Sequence, residues 1–174
     1  MRADARRNRD HLVATARAVI AEEGPEVSLN EVARRAEVGP GTLYRHFPNR
    51  RALLLAVFTD RIETLCAQAE SLSSAAPESA LETWLKALLA HTRTDGGLSA
   101  TMASEGDLAE EVGFDCQARL RAAAGGLLDR AQRAGAVRPD VDVDDLFQLV
   151  AGIAPASRAE RLLLLALNGL NTHR

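Results

Sequence analysis

The sequence predicts an all-α protein of about nine helices, and three observations lead to this fold class. Apolar residues recur at helical spacing along nearly the whole chain of 174 residues. No segment shows the alternation of apolar and polar residues, bounded by turn signals, that is typical of strands. Aromatic residues make up only 3% of the chain, so the core must consist mainly of leucine, alanine and valine, which favours helices packed on helices.

Glycine, proline and capping residues divide this pattern into helices. Gly24 and Pro25 end the first helix, and a capping box of Ser28 and Glu31 begins the second. Asn49 caps a long fourth helix, and a break at Gly96-Gly97 is expected to separate the fifth helix from a short sixth. The nine helices are expected at about residues 8–23, 28–36, 42–47, 49–71, 79–94, 98–103, 114–134 and 143–153, with the last from residue 155 or 156 to about 171.

Charge divides the chain into two domains, predicted at residues 1–52 and 53–174. Residues 1–51 carry ten arginines against seven acidic residues, a net charge of +3, whereas residues 52–174 carry a net charge of −6. A basic domain beside an acidic body is expected when one domain alone contacts nucleic acid. Two distant cysteines, no signal peptide and no apolar run long enough to span a bilayer indicate a cytoplasmic protein without membrane contact.

Residues 28–47 contain two short helices joined by a sharp turn. This is the spacing of a helix-turn-helix motif, which places its second helix in the major groove of DNA, although an ordinary helical hairpin has the same spacing. Leu43 and Phe47 are expected to anchor the second helix to the core. The remaining side chains of that helix can bond phosphates or base edges; they are Thr42, Tyr44, Arg45 and His46.

Residues 38–50, Val-Gly-Pro-Gly-Thr-Leu-Tyr-Arg-His-Phe-Pro-Asn-Arg, closely resemble the recognition-helix signature of the tetracycline-repressor (TetR) family. The resemblance covers about residues 8–60, and the remainder is similar in helix count and order. It implies an N-terminal three-helix DNA-binding domain followed by a helical ligand-binding and dimerisation domain. Glu37 departs from the family pattern, which often has glycine there, and Arg51 stands where an acidic residue is common. The predicted DNA-contacting residues are Ser28, Gly39, Pro40, Gly41, Thr42, Tyr44, Arg45, His46, Arg50 and Arg51.

Two groups of arginines have alternative interpretations. Arg50 and Arg51 lie in the first turn of the predicted fourth helix, where each cation opposes the helix dipole at a cost of ~0.3–1 kcal/mol. A DNA phosphate would reverse this penalty, so we expect phosphate contacts rather than ordinary solvated charges. A basic arm precedes the first helix and either reaches DNA or is a disordered tail; it carries Arg2, Arg6, Arg7 and Arg9.

The body contains no catalytic motif, metal-ligand spacing or phosphate loop. We therefore expect no enzyme activity, no cofactor and no metal. Bulky side chains could enclose an apolar ligand pocket, or they could serve as plain core. The net charge of −6 and the absence of clustered arginine favour an uncharged or cationic ligand. The predicted pocket residues are Leu65, Cys66, Trp84, Leu88, His91, Met102, Phe114, Cys116 and Phe147.

Apolar residues surround the last predicted helix, so its own subunit cannot cover every face. In the family that the motif resembles, the last two helices pair with their copies in a four-helix bundle, which implies a homodimer. The predicted interface residues are Leu146, Val150, Leu163, Ala166, Leu167 and Leu170.

These observations predict a transcriptional repressor that binds a palindromic double-stranded DNA operator as a homodimer. A small-molecule inducer would release it. A constitutive DNA-binding regulator without an inducer is the alternative, and a small helical enzyme or carrier is a rival class. Salt-dependent binding of operator DNA would distinguish a regulator from an enzyme.

Overall fold

A computed structural model describes the backbone of residues 2–24, 26–104 and 108–170, and the side chains of residues 4–24, 26–94 and 116–170. The described elements are helical, which confirms the all-α fold class. They are α1 (Arg2–Glu23), α2 (Leu29–Arg35), α3 (Pro40–His46), α4 (Arg50–Ser71), a 3₁₀ turn (Leu72–Ser74), α5 (Pro77–Ser104), α6 (Leu108–Arg133), α7 (Val143–Ile153) and α8 (Ala159–Leu170).

Several helix ends differ from the sequence-based expectation. The predicted break at Gly96-Gly97 is wrong, because α5 continues through both glycines to Ser104. Glycine lowers helix propensity by about 1 kcal/mol without forbidding the helix, so the pair alone does not end it. The first helix begins at Arg2, so the basic arm is the first turns of α1 and not a disordered tail.

The chain forms two compact units, one of residues 1–61 with 96–110 and one of residues 62–95 with 111–174. The continuous helix α4 contributes to both units. In the first unit, Leu43 and Phe47 are 0% and 2% exposed, which confirms them as the anchors of α3. Their core also contains Leu12, Val13, Ala16, Ile20, Val32, Ala33, Leu53, Leu54 and Val57.

The core of the second unit is centred on Trp84, which is fully buried. Its indole Nε1–H donates a hydrogen bond of 3.0 Å to the backbone carbonyl of Leu65. Its ring also meets Phe147 edge to face, with centroids 6.4 Å apart. Aliphatic side chains of α5 to α8 complete this core, namely Leu85, Leu89, Leu128, Leu146, Val150 and Leu163.

Candidate nucleic-acid interface and ligand groove

Helix α2 is capped by Ser28, whose hydroxyl accepts a hydrogen bond from the backbone N–H of Glu31 at 3.1 Å. The predicted reciprocal bond of a capping box is replaced by a different contact. The Glu31 carboxylate accepts hydrogen bonds from Arg34 (2.6 and 2.9 Å) and Arg35 (3.1 Å). Hydrogen bonds from these two guanidinium groups lower the pKa of Glu31 to about 2, and the bond from Arg34 has the larger effect. Arginine thus competes successfully with the helix amide for this carboxylate.

The turn between α2 and α3 is closed by backbone hydrogen bonds. The N–H of Val38 bonds to the carbonyl of Ala33 at 3.0 Å, and the N–H of Glu37 bonds to Arg34 at 3.2 Å. This is a Schellman motif, which requires a left-handed residue after the helix. Glu37 occupies that position with φ of 56°, although a side chain there is strained. The imidazole Nε2 of His11 also contacts the carbonyl of Ala36 at 3.1 Å.

Helix α3 is anchored by Leu43 and presents its other side to solvent. Tyr44 is 45% exposed, an unusual exposure for so large a side chain. Arg45 is also exposed, and its guanidinium Nε–H donates to the carbonyl of Gly41 at 3.2 Å. Thr42 and His46 are half-buried at the edges of this face. The chain thus brings the predicted base-reading side chains together on one short helix.

Gly39 and Gly41 lie at the start of α3, and neither the backbone conformation nor the packing within the chain requires glycine at these positions. A Cβ at Gly39 or Gly41 would meet no atom within 4 Å, and neither residue has a positive φ. Gly41 lies within the helix, where glycine is less favourable than alanine by about 0.5–1 kcal/mol. None of the described residues of the first unit occupies this open space, so it is available to a molecule that approaches α3 closely.

Carboxylates neutralise several arginines of the first unit, but not those beside α3. Arg45 has no carboxylate partner within the described residues, and neither does Arg9, whose guanidinium lies 5.5 Å from the ring centroid of Phe47. Unpaired positive charge is therefore concentrated at α3 and the beginning of α1. Ion pairs join Arg7 to Asp4, Arg17 to Asp60, Arg34 to Glu31, and Arg35 to Glu22, Glu23 and Glu31.

The beginning of α4 carries the predicted phosphate contacts. Asn49 accepts the N–H of Ala52 at 2.8 Å, which confirms it as the cap. Arg50 donates to the carboxylate of Glu26 at 3.1 Å, and Arg51 is half-buried beside it. Cations at the start of a helix are favoured by a nearby anion, and Glu26 supplies one from within the chain. Sequence reasoning missed Glu26 because the pair is 24 residues apart.

Four of the six predicted dimer-interface residues are buried within their own chain. Burial follows the spacing of four residues in Ala159, Leu163 and Leu167, which turns this face of α8 inward. The exposed apolar residues of α8 lie on other faces, at Leu162 (39%), Leu164 (38%) and Leu165 (55%). The four buried residues are Leu146, Val150, Leu163 and Leu167, whereas Ala166 and Leu170 are half-buried. The interface itself stays a prediction.

The predicted ligand-pocket residues have several different surroundings. Four are packed in the core with at most 5% exposure, namely Leu65, Trp84, Leu88 and Cys116. His91 is half-buried, as is Phe147, whose ring lies 5.8 Å from the guanidinium of Arg121. The side chains of Met102 and Phe114 lie outside the described residues. The enclosed apolar pocket therefore stays a prediction.

A groove of about 430 Å³ lies between α4 and α6 in the second unit. Arg130 lies at one end and donates hydrogen bonds to the carbonyls of Leu72 (3.1 Å) and Ala75 (2.9 Å). Arg119 also lines the groove and lies 3.8 Å from Glu63. The floor and walls include Cys66, Ala69, Glu70, Ser73, Ala122, Ala123, Gly126 and Leu127. The expectation of an uncharged or cationic ligand depended partly on the absence of clustered arginine. Because Arg119 and Arg130 line one groove, that reason no longer applies to this site.

Sequence reasoning missed the arginines of the groove because they are eleven residues apart. Three turns of α6 separate Arg119 from Arg130, and this spacing returns both to one helix face. Burial raises the pKa of the Cys66 thiol, which lies in the same groove.

Within the part of the chain that the structure describes, no helix combines the length and the apolar character that a membrane span requires. The described side chains also form no group of three or more histidine, cysteine or acidic residues suited to a metal ion.

Comparison with known proteins identifies the family. Residues 12–57 match the domain described as bacterial regulatory proteins, tetR family. Residues 76–172 match the C-terminal domain described as transcriptional regulator SbtR-like. The HTH-type transcriptional regulator SAB2452 of Staphylococcus aureus (strain bovine RF122 / ET3-1) is 38% identical over 69 residues, which are 39% of this chain and 37% of that relative. The match thus spans little more than a third of this curated relative.

Two solved structures are similar over nearly their whole length. The TetR transcriptional regulator SCO0520 from Streptomyces coelicolor is 34% identical, with a TM-score of 0.80, over 94% of this chain and 98% of that chain. The TetR transcription regulatory protein from Mycobacterium vanbaalenii is 37% identical, with a TM-score of 0.81, over 98% of this chain and 99% of that chain. With an N-terminal and a C-terminal domain match in the family's order, the chain belongs to the TetR family of transcription regulators, which are not enzymes.

Proposed function

We propose that this chain is a cytoplasmic transcriptional repressor that binds a palindromic operator as a homodimer and is released by a small molecule. The observation that carries the proposal is the exposed side of α3. Tyr44 and Arg45 project from it, and Gly41 leaves open space beside them. Such a face suits the major groove, where close approach and hydrogen-bonding side chains are both required.

Base reading and phosphate binding are expected to come from different residues of the first unit. Thr42 and Tyr44 offer hydroxyls on α3, and Arg45 can donate two hydrogen bonds to guanine after leaving the carbonyl of Gly41. Ser28 and Arg50 lie at the starts of α2 and α4, where phosphates are favoured. Phosphate contacts position the protein, and base contacts specify the sequence.

The apolar surface of α8 supports the homodimer. Leu162, Leu164 and Leu165 are exposed on one short helix. Leu162 and Leu165 are three residues apart and so lie on one side of that helix, and exposed apolar surface of this kind marks an association surface. A second copy of the same helix is the partner that a palindromic operator requires, because operator symmetry mirrors the two-fold symmetry of the protein. We expect Leu165 to lie at the centre of the interface, since it is 55% exposed.

The groove between α4 and α6 is the candidate site for the small molecule. Its volume of about 430 Å³ lies within the range of ~300–1,000 Å³ that is usual for ligand sites. The walls are mainly small apolar side chains, with Arg119 and Glu70 available for polar contacts. Helix α4 continues without a break from this groove to Arg50, so a ligand that shifts α4 would also move a predicted phosphate contact.

The proposal is tested by selecting duplexes that the protein retains from a random library and aligning their sequences. We expect an inverted repeat. Thr42→Ala and Tyr44→Ala should abolish binding of the selected sequence, and Arg50→Ala should weaken binding of all sequences alike. Selection of no common sequence would contradict the proposal. Release of the bound duplex by a small molecule would distinguish the inducible repressor from a constitutive regulator.

A further inference from the structure

We propose that Glu26 substitutes for a DNA phosphate on Arg50, so that the free protein occupies one of its own phosphate contacts. This rests on the proposed function, because it gives Glu26 a part in the proposed DNA binding. Association would then require the Glu26 carboxylate to be exchanged for a phosphate oxygen. Glu26 would weaken binding to every DNA sequence without taking part in base reading.

The contact has the geometry of an exchangeable ion pair. One carboxylate oxygen of Glu26 accepts from Nη1 of Arg50 at 3.1 Å. The side chain of Glu26 is 77% exposed and that of Arg50 is 30% exposed. A carboxylate so open to water loses little when the pair separates, because an exposed ion pair is only weakly stabilising.

The position of the pair explains why Arg50 needs an anion. Arg50 is the first residue of α4, where the helix dipole disfavours a cation. Glu26 lies two residues before Ser28, the N-cap of α2. The carboxylate therefore lies beside the predicted phosphate contact Ser28 in the chain, and it binds another, Arg50. An anion on Arg50 is favourable whether it comes from Glu26 or from DNA, and this equivalence makes the two compete.

A comparison within the same unit shows that this pair differs from the other arginine contacts. Arg34 binds Glu31 through two nitrogens, at 2.6 and 2.9 Å, and Arg35 contacts the same carboxylate at 3.1 Å. Bidentate, shared contacts of this kind hold guanidinium groups in place. The pair of Arg50 and Glu26 joins one nitrogen to one oxygen at 3.1 Å, so this pair separates more easily than a bidentate one.

The experiment measures the affinity of Glu26→Gln for a short duplex of mixed sequence, by fluorescence anisotropy over a range of salt concentrations. We expect binding about two- to fivefold tighter than the parent at low salt, the range that an exposed ion pair supplies. The slope of log affinity against log salt concentration should become steeper by up to about one unit. In the parent, the phosphate contact of Arg50 replaces an existing ion pair with Glu26, whereas in the variant no such pair has to be broken. Glu26→Ala should behave in the same way.

Two controls separate this role from a general change of charge. Asp10→Asn removes the same charge from an exposed residue of α1 that has no partner among the described residues. In an Arg50→Gln background, Glu26→Gln should have no more effect than Asp10→Asn. If Glu26→Gln and Asp10→Asn change affinity equally in the parent, the inference is wrong while the proposed function stands. A folded parent that binds no DNA would overturn both.

Discussion

Replacing Glu37 with glycine is expected to stabilise the protein. Glu37 has φ of 56°, in the left-handed region where the Cβ of an L-residue crowds the following carbonyl. Its side chain is exposed and has no hydrogen bond or ion pair within the described residues. The substitution therefore removes backbone strain and leaves the bonds of Glu37 N–H to Arg34 and Val38 N–H to Ala33 in place.

The magnitude follows from two opposing effects at this residue. The left-handed conformation costs a residue with a Cβ about 1–2 kcal/mol. Glycine gives the unfolded chain more freedom, which destabilises the folded state by about 0.4–1 kcal/mol. The midpoints of these two ranges leave a net gain of about 0.8 kcal/mol for Glu37→Gly, and for a chain of this size the melting temperature should rise by ~2–3 °C.

The end of α6 supplies a matched control. There the N–H of Gly135 bonds to Gln132 and the N–H of Ala136 bonds to Ala131, both at 2.9 Å, and Gly135 has φ of 69°. This is the same Schellman motif with glycine in the left-handed position. A Cβ there would meet no atom within 4 Å, so Gly135→Ala should lower stability by conformational strain alone.

The assay is thermal and urea unfolding followed by circular dichroism, at one fixed protein concentration because association would shift the melting temperature. Glu37→Gly should raise the free energy of unfolding, and Gly135→Ala should lower it. A fall in stability for Glu37→Gly, or changes of the same sign at both positions, would refute the reasoning from backbone strain.

Three further predictions concern the second unit. Leu165→Asp places a charge in the exposed apolar surface of α8 and should raise the dimer dissociation constant more than about tenfold; a parent that sediments as a monomer would contradict this. Trp84→Phe removes the 3.0 Å bond to a carbonyl of α4 and should cost ~1 kcal/mol in urea unfolding, whereas an unchanged midpoint would show that the bond contributes nothing. Ala123→Trp fills the groove between α4 and α6 and should abolish thermal stabilisation by compounds that stabilise the parent, while Ala118→Trp, outside the groove, should retain it.

The N-terminal unit was predictable because its signals are local. Gly24 ends α1 with φ of 88°, Asn49 caps α4, and Glu37, where the family often has glycine, has the left-handed backbone that favours glycine. Each feature depends on a residue and its neighbours within a few positions, which a sequence displays directly. The ion pair of Glu26 and Arg50 depends on a tertiary contact, and no pattern in the sequence indicates it.

The second unit was harder to predict for a physical reason. Leucine occupies several faces of α8, so periodicity cannot tell which face is inward; Leu163 is buried while Leu165 is exposed. Similarly, α6 carries many small residues, and only packing against α4 defines the groove that contains both Arg119 and Arg130. The pair Gly96-Gly97 also indicates a helix break that does not occur, because both residues lie within the continuous helix α5.

The central claim, that the exposed side of α3 approaches DNA closely, is tested most directly by Gly41→Leu. Leucine favours helix more than glycine does, and a Cβ at Gly41 would meet no atom within 4 Å, so the melting temperature should stay the same or rise. Affinity for the selected operator should nevertheless fall more than about tenfold, a loss of ~1.4 kcal/mol, because the new side chain occupies the space that DNA requires. A stable variant that retains the parent's operator affinity would contradict the account.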